Sequence, residues 1–249
     1  SCTFYMGFNN AKAPFDNLDA RLAVASALDR EALNQTLNQG KTEVASGPFA
    51  PGSMGYVEDT PMPPFDLEAA KKHVAAYEQA TGQKLSFVAP SPGGGGDQSA
   101  QELIQSQLAE AGIEMKLQTM EQSASIDRAI AGDFDMMLWR NHPGGDPDLQ
   151  YIWWHSGSPV NFGRIDDPEV DRLLEEGRVT TDPDERAKIY QELNRRFADQ
   201  AHGIWTTWSK WGVISAPTVR GVLGPKVDGG EPFPGLATGQ PVSGLWVDP

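Results

Sequence analysis

The middle of the sequence alternates short apolar runs with longer amphipathic stretches, and this alternation constrains the fold more than any other feature. We predict strands near 85–89, 113–119 and 134–139, with helices over 98–111 and 123–131 between them. Strands joined by single helices favour adjacent parallel pairing, so we expect the three strands to share one sheet. The pattern predicts the α/β class, with a mixed, partly parallel sheet flanked by helices.

Apolar periodicity predicts further elements on both sides of this region. Additional helices are expected over 18–38, 66–80 and 167–200. The opening run CTFYMGF has the apolar and aromatic content of a buried strand, and GIWTTWSKWGVIS after His202 is typical of strand, turn and strand. Beyond Ala216, glycine and proline dominate, so the tail has too little periodic structure for a domain of its own.

Charge and composition exclude several classes of protein. The formal net charge of −14 offers no basic field for phosphates, so we expect no nucleic-acid partner. No apolar run approaches the roughly 20 residues that span a bilayer. The chain opens without the basic and apolar regions of a signal peptide, and we expect a sequence that starts inside a strand to be a piece of a longer protein.

Cys2 is the only cysteine, which rules out an intrachain disulfide or a zinc site built from cysteines. The opening Ser-Cys allows a lipoprotein interpretation, in which Cys2 is acylated. The apolar run that Cys2 begins favours a buried strand instead. We therefore predict a structural, non-acylated cysteine in a strand at the edge of the chain.

The segment from Phe134 to Leu174 combines aromatic rings with hydrogen-bonding side chains at high density. Trp153 and Trp154 are adjacent and point in different directions on any regular element, so both cannot face one core easily. Flat apolar rings interleaved with polar groups suit a cleft that holds a polar organic molecule. The residues concerned are Trp139, Arg140, Asn141, His142, Tyr151, Trp153, Trp154, His155 and Asn161.

Catalytic and metal chemistry is less well supported by the sequence. His142 and His155 flank Asp146 and Asp148, which could supply metal ligands, but no HxxxH or HxH spacing occurs. The glycine run before residue 98 lacks the lysine of a phosphate loop and the GxGxxG spacing of a dinucleotide site. The alternative that stays open is a hydrolase that uses His142 or His155 with Asp146.

Trp205, Trp208 and Trp211 recur at every third position near the end of the chain. In a regular strand, Trp205 and Trp211 face opposite to Trp208. Packing on both faces of a sheet and a ring contributed to a ligand are about equally supported by this spacing.

The order of the segments resembles the family-5 solute-binding proteins of ABC importers, a group that carries peptides, nickel, opines and some sugars. No single motif is diagnostic, but the match runs in register from about Tyr5 to Trp211. The segments that carry it are YMGFNNAKAPFDNLDARLAVASALDREAL, PFDLEAAKKHVAAY, QELIQSQLAEAGIEMKL, GDFDMMLW, DPDLQYIW, NFGRIDDPEVDRLLEEG and DPDERAKIYQELNRRFAD.

The resemblance implies two lobes that close over a solute, with residues 1–211 forming the second lobe and 212–249 returning towards a first lobe outside this chain. It also implies a periplasmic or cell-surface location and an ABC permease as partner. Peptide-binding members carry an aspartate for the peptide α-amino group in a Trp-x-x-Asp-Tyr-x-x-Pro pattern. Here Asn141 and His142 lie near that position, and one extra residue separates Trp139 from Pro147, which argues against binding of a free peptide N-terminus.

We therefore expect a non-enzymatic component of an importer that captures a small polar solute in a cleft lined by aromatic rings and delivers it to the permease. The solute classes left open are an oligopeptide, an oligosaccharide and an acidic metabolite held by Arg140. No cofactor, metal or catalytic residue is expected. The expected ligand-binding residues are Trp139, Arg140, Asn141, His142, Asp146, Tyr151, Trp153, Trp154 and Asn161.

Overall fold

The computed structural model of the protein describes residues 2–92, 95–141, 146–210, 214–222 and 244–248. Its strands are β1 (Cys2–Phe8), β2 (Glu43–Val44), β3 (Ser86–Pro92), β4 (Glu114–Met120), β5 (Met136–Asn141), β6 (Gly203–Ser209), β7 (Val219–Arg220) and β8 (Trp246–Val247). Its helices are α1 (Leu18–Ala27), α2 (Arg30–Asn38), α3 (Leu67–Thr81), α4 (Gly95–Glu110), α5 (Gln122–Ala131), α6 (Tyr151–Trp154), α7 (Pro168–Val179) and α8 (Pro183–Gln200). Among these residues, no helix combines the length and apolar character that a membrane crossing needs.

Local capping chemistry sets where the long helices begin. The Asn17 side chain accepts hydrogen bonds from two backbone N–H groups in the first turn of α1, and Asp66 accepts one from Ala69 at the start of α3. Asp167 and Asp182 cap α7 and α8 in the same way, each followed by a proline in the first turn. These caps satisfy N–H groups that have no partner within the helix, which is why the sequence pattern predicted the helices closely.

The principal sheet has four strands in the order β2-β6-β1-β5, and every pairing in it is antiparallel. β1 is central, although it comes first in the chain. β3 and β4 form a separate two-stranded parallel sheet, and β7 pairs with β8. The structure confirms the α/β class and the strand that Cys2 begins, while acylation of Cys2 stays untested.

The expectation that the strands near 85–89, 113–119 and 134–139 share one sheet is wrong for the third strand. β3 and β4 pair in parallel as predicted, but β5 pairs with β1. Where β5 would continue the sheet, the carboxylate of Asp135 accepts the hydrogen bond from the backbone N–H of Val88, at 2.9 Å. The Asp135 side chain thus takes the place of the backbone hydrogen bonds that would pair two strands. Lys12 pairs with the other oxygen of the same carboxylate at 2.9 Å.

β6 contains a β-bulge, so the expectation that Trp205 and Trp208 face opposite sides of a regular strand is wrong. Tyr5 pairs with Trp205, but Thr3 pairs with Trp208, so one residue of β6 is extra between these pairs. Because Thr3 and Tyr5 lie on the same face of β1, Trp205 and Trp208 lie on the same face rather than on opposite faces. Trp211 and most of the second strand expected in this region fall on residues 211–213, which lie outside the described residues.

Each face of the principal sheet packs against its own helices. On the face that carries Met6 and Phe8, Phe8 stacks on Phe15 with ring centroids 4.1 Å apart. On the opposite face, Trp205 packs edge-on against Phe197 of α8 at 5.3 Å. These rings are buried, and burying a large apolar side chain stabilises a fold by about 1.5–3 kcal/mol.

A buried polar cluster joins segments from the beginning and the later part of the chain. His202 lies just before β6 and bonds through Nε2 to the Asp167 carboxylate at 2.9 Å and through Nδ1 to Asn10 at 3.0 Å. Arg196 donates to the same carboxylate at 2.7 Å. Burial alone would raise the pKa of Asp167, but the hydrogen bonds from His202 and Arg196 outweigh it and hold that pKa below its ordinary value.

We predict that Asp135→Ala lowers the free energy of unfolding by about 1–2 kcal/mol, because the backbone N–H of Val88 loses its partner and Lys12 its ion pair. Asp133→Ala is the matched control, since Asp133 is exposed in the same turn and lies 3.8 Å from Arg128. Urea denaturation of both variants measures the difference. Equal stability of the two variants would mean that the carboxylate of Asp135 does not join β3 to β5.

Candidate functional site

β5 delivers the candidate site residues to two opposite faces of the principal sheet. Arg140 pairs with Phe4 of β1, and Trp139 pairs with Tyr5. Since neighbouring residues in a strand alternate, Arg140 and Phe4 lie on one face while Trp139 and Tyr5 lie on the other. The sequence had placed Trp139 and Arg140 in one cleft wall, whereas the pleat separates their side chains.

The face with Arg140 forms one wall of an open groove of about 610 Å³. α2, α4 and α5 form the other wall, with Leu37 and Ile126 each 37% exposed in it. This volume lies within the range of about 300–1,000 Å³ that is usual for small-molecule sites. Trp139 contributes to the margin of the groove, so the groove collects the polar and apolar groups that a small organic solute needs.

The Arg140 side chain is exposed and forms no hydrogen bond or ion pair in the part of the chain that the structure describes. Gln101 of α4 also lines the groove and is 1% exposed. Its Nε2 donates to the carbonyl of Pro90 at 2.7 Å, and its buried Oε1 has no partner among the described residues. Among the described lining residues, the groove therefore presents one unpaired cation.

The opposite face carries a cluster of aromatic rings. Trp139 and Trp153 both pack edge-on against Phe162, with centroids 5.6 and 5.7 Å apart. Tyr5 stacks on Trp205 at 5.9 Å. Burial raises the pKa of Tyr5, and a hydrogen bond with Asn141 offsets part of that rise. The cluster brings Trp139 and Trp153 together as the sequence suggested, with both rings only partly exposed.

Asn141, the last residue of β5, is directed into the interior of the fold. Its side chain is buried, and Nδ2 donates to Oε1 of Gln150 at 3.1 Å. This bond ties the end of β5 to the short 3-10 turn Pro147–Gln150. His142 follows Asn141 directly but lies outside the described residues.

Asp146 and Tyr151 are in contact with arginines of α8 and α7, respectively. Both carboxylate oxygens of Asp146 accept hydrogen bonds from Arg186 at 2.7 Å, and Asp146 also caps the 3-10 turn. The hydrogen bond from Arg186 holds the pKa of Asp146 below its usual range. Arg178 lies 3.6 Å above the ring of Tyr151. These contacts make both residues part of the framework beside the groove.

Trp154 and Asn161 lie in the interior of the fold. Trp154 is 4% exposed and packs against Phe197 at 4.7 Å. Asn161 is 3% exposed, donates to the carbonyl of Ile165 at 2.8 Å and accepts from the N–H of the same residue at 3.1 Å. All these contacts are internal, so the two residues support the segment that carries Trp153.

The hydrolase alternative requires His155 to meet Asp146, and the structure pairs each with another residue. His155 Nε2 lies 3.1 Å from Glu175 Oε1, while Asp146 is held by Arg186. Within the described ranges, no three potential metal-ligating side chains lie together. The remaining candidate of that alternative, His142, falls outside these ranges.

Sequence reasoning missed the helical wall of the groove. Leu37, Gln101 and Ile126 come from three helices that are far apart in sequence. The only available signal was a pair of isoleucines, Ile126 and Ile130, one turn apart on a largely polar stretch of α5. Neither is needed for a continuous core face. Only the folded chain shows which of these residues border the groove.

A family model of bacterial extracellular solute-binding proteins, family 5 middle, matches residues 1–163 of this 249-residue chain. The chain belongs to this family. Its members are binding proteins rather than enzymes, which argues further against the hydrolase alternative.

Two relatives illustrate the sequence similarity. The chain is 29% identical over 214 residues to a probable di/tripeptide-binding protein 5 of Pseudomonas aeruginosa, covering 82% of this chain and 39% of that protein. It is also 29% identical over 231 residues to heme-binding protein A of Haemophilus influenzae, covering 88% of this chain and 41% of that protein. The chain thus spans about two fifths of the length of these relatives.

The fold is that of a periplasmic binding protein. The oligopeptide-binding protein AppA of Bacillus subtilis, solved with a nonapeptide, superposes with a TM-score of 0.76 at 23% sequence identity. The match covers 100% of this chain and 51% of AppA. At this level of identity the likeness concerns the fold, so the solute must be argued from this chain's own residues.

We predict that Asp146→Asn lowers stability by about 1 kcal/mol at pH 7, because Arg186 loses a partly exposed bidentate partner. The folded pKa of Asp146 is depressed, so its contribution is present above the unfolded value near 3.9 and is lost as pH falls through the folded pKa. The variant and the wild type should therefore converge below about pH 4. Urea denaturation across this range measures the effect, with the exposed Asp127→Asn as the control for lost charge. A difference that persists at low pH would contradict the assignment.

Proposed function

We propose that this chain forms one wall of the solute cleft in a binding protein of an ABC importer. The observation that carries the proposal is an open groove of about 610 Å³, bordered by an unpaired arginine, in a chain of this family. Solute binding between two lobes would enclose such a groove from the open side and complete the polar contacts that it lacks.

A peptide-like solute is the leading class. Relatives named as di/tripeptide-binding proteins and as the oligopeptide-binding protein AppA of Bacillus subtilis support it. The absence of an aspartate at Asn141 and His142, where peptide-binding members hold the α-amino group, favours a peptide with a modified N-terminus or an acidic metabolite over a free peptide. An oligosaccharide is the remaining candidate, since the aromatic rings near the groove could stack on a sugar.

The proposal extends to the rest of the protein. Residues 1–211 would constitute the second lobe, and residues 212–249 would return to a first lobe of the same protein. The partners are then the small solute, that first lobe and a membrane permease, and the location is periplasmic or at the cell surface. The family's extracellular description and the names of the relatives support this arrangement.

The test uses the whole protein that contains this chain. We predict that it retains a small solute on purification, that mass spectrometry identifies this solute at about one molecule per protein, and that the solute is released unchanged. Titration by calorimetry should then give saturable binding without turnover. Chemical conversion of the retained molecule would favour the hydrolase alternative, and the absence of any bound or bindable solute would refute the proposed function.

A substitution in the groove locates the site. Ile126→Gln should weaken binding of the retained solute about fivefold, because an apolar contact worth roughly 1 kcal/mol is lost. Ile130→Gln is the matched control: Ile130 lies one turn further along α5, is 56% exposed and does not line the groove. Equal binding by both variants would place the solute elsewhere on the protein.

A further inference from the structure

The groove differs sharply in charge from the rest of the molecule. The chain carries 34 acidic and 20 basic side chains. Among the described residues that line the groove, Arg140 is nonetheless the only charged one. None of the described lining residues is a carboxylate that could neutralise it, so this part of the groove is locally positive in a chain whose net charge is negative.

Three other arginines of the chain are paired with carboxylates. Arg186 binds Asp146 and Arg196 binds Asp167, each through two hydrogen bonds, and Arg178 binds Asp148 in the same way. A guanidinium group matches a carboxylate in shape and charge, and the fold uses this match repeatedly. Arg140 has the same chemistry, and its guanidinium has no partner among the described residues.

We infer that the solute carries a carboxylate, and that this carboxylate pairs with Arg140 in the groove. The inference rests on the proposed solute-binding function and specifies its substrate class. A neutral or cationic solute would leave the guanidinium without a partner as the cleft closes and water is removed, which is costly for a buried charge. A carboxylate supplies one negative charge and two acceptors, and this matches the single cation of the groove.

The remaining groups of the groove define the rest of the solute. Phe4, Leu37 and Ile126 provide apolar surface on both walls. The solute is therefore an organic acid with an apolar portion, and not an inorganic anion.

The experiment compares the whole wild-type protein with Arg140→Gln, Arg140→Lys and Arg128→Gln. Arg128→Gln is the matched control, because Arg128 lies on α5 outside the groove and pairs with Gln118 and Asp133. Each protein is incubated with a dialysable small-molecule extract of bacterial culture, and the retained compounds are identified by mass spectrometry. The affinity of the main retained acid and of its carboxamide is then measured by calorimetry, with thermal unfolding as a check on folding.

We expect the wild type and Arg128→Gln to retain carboxylates and to bind the acid at least about tenfold more tightly than its carboxamide. Arg140→Gln should lose this preference while binding of the carboxamide stays unchanged, and Arg140→Lys should keep part of it, since a lysine retains the charge without the planar fork. Retention of neutral or cationic compounds, or an unchanged preference in Arg140→Gln, would overturn the inference and leave the proposed function standing. If the wild type retains nothing and binds nothing, the proposed function fails and the inference fails with it.

Discussion

The central position of β1 is the constraint on which the rest of the fold depends. β1 pairs with β5 on one side and with β6 on the other, so the principal sheet forms only when β1 meets two strands that come much later in the sequence. These pairings also fix the chemistry of each face. Arg140, Phe4 and Thr207 stand in one row across three strands on the groove face, and the aromatic cluster stands on the other. The cluster of Asp167 with His202 and Arg196 holds α7 and α8 to the start of β6 and thereby keeps this order.

Sequence patterns predicted the elements of the fold better than their pairing. The parallel pair β3 and β4 follows from one intervening helix, and it was found as expected. The partner of β5 depends on β1, more than a hundred residues away, and on the single carboxylate of Asp135 that replaces a strand ladder. The bulge in β6 likewise escapes a rule that assumes strict alternation, which is why Trp205 and Trp208 share a face.

The candidate site could be predicted only in part, because aromatic density marks cores and clefts alike. Trp154 and Trp153 are adjacent, yet one is buried against Phe197 and the other borders the cluster around Phe162. Asn161 has a side chain of the kind found in binding sites, but its amide nitrogen and its amide oxygen both form hydrogen bonds with the backbone of Ile165. Arg140 was predicted as a polar group of a cleft and borders the groove, whereas its lack of a partner among the described residues is a property of the folded chain that no sequence pattern contains.

The unpaired state of Arg140 has a physical consequence for selectivity. In the open groove the guanidinium is hydrated, and an ion pair at 4 Å is worth only about 1 kcal/mol in water. If the proposed closure covers the groove and the effective dielectric constant falls to around 20, the same pair would be worth about 4 kcal/mol. The net negative charge of this chain opposes an anionic solute at a distance, but salt screens that repulsion beyond roughly 8 Å. Discrimination between a carboxylate and a neutral solute would therefore arise mainly at closure, when Arg140 loses its water, and the first encounter would contribute little.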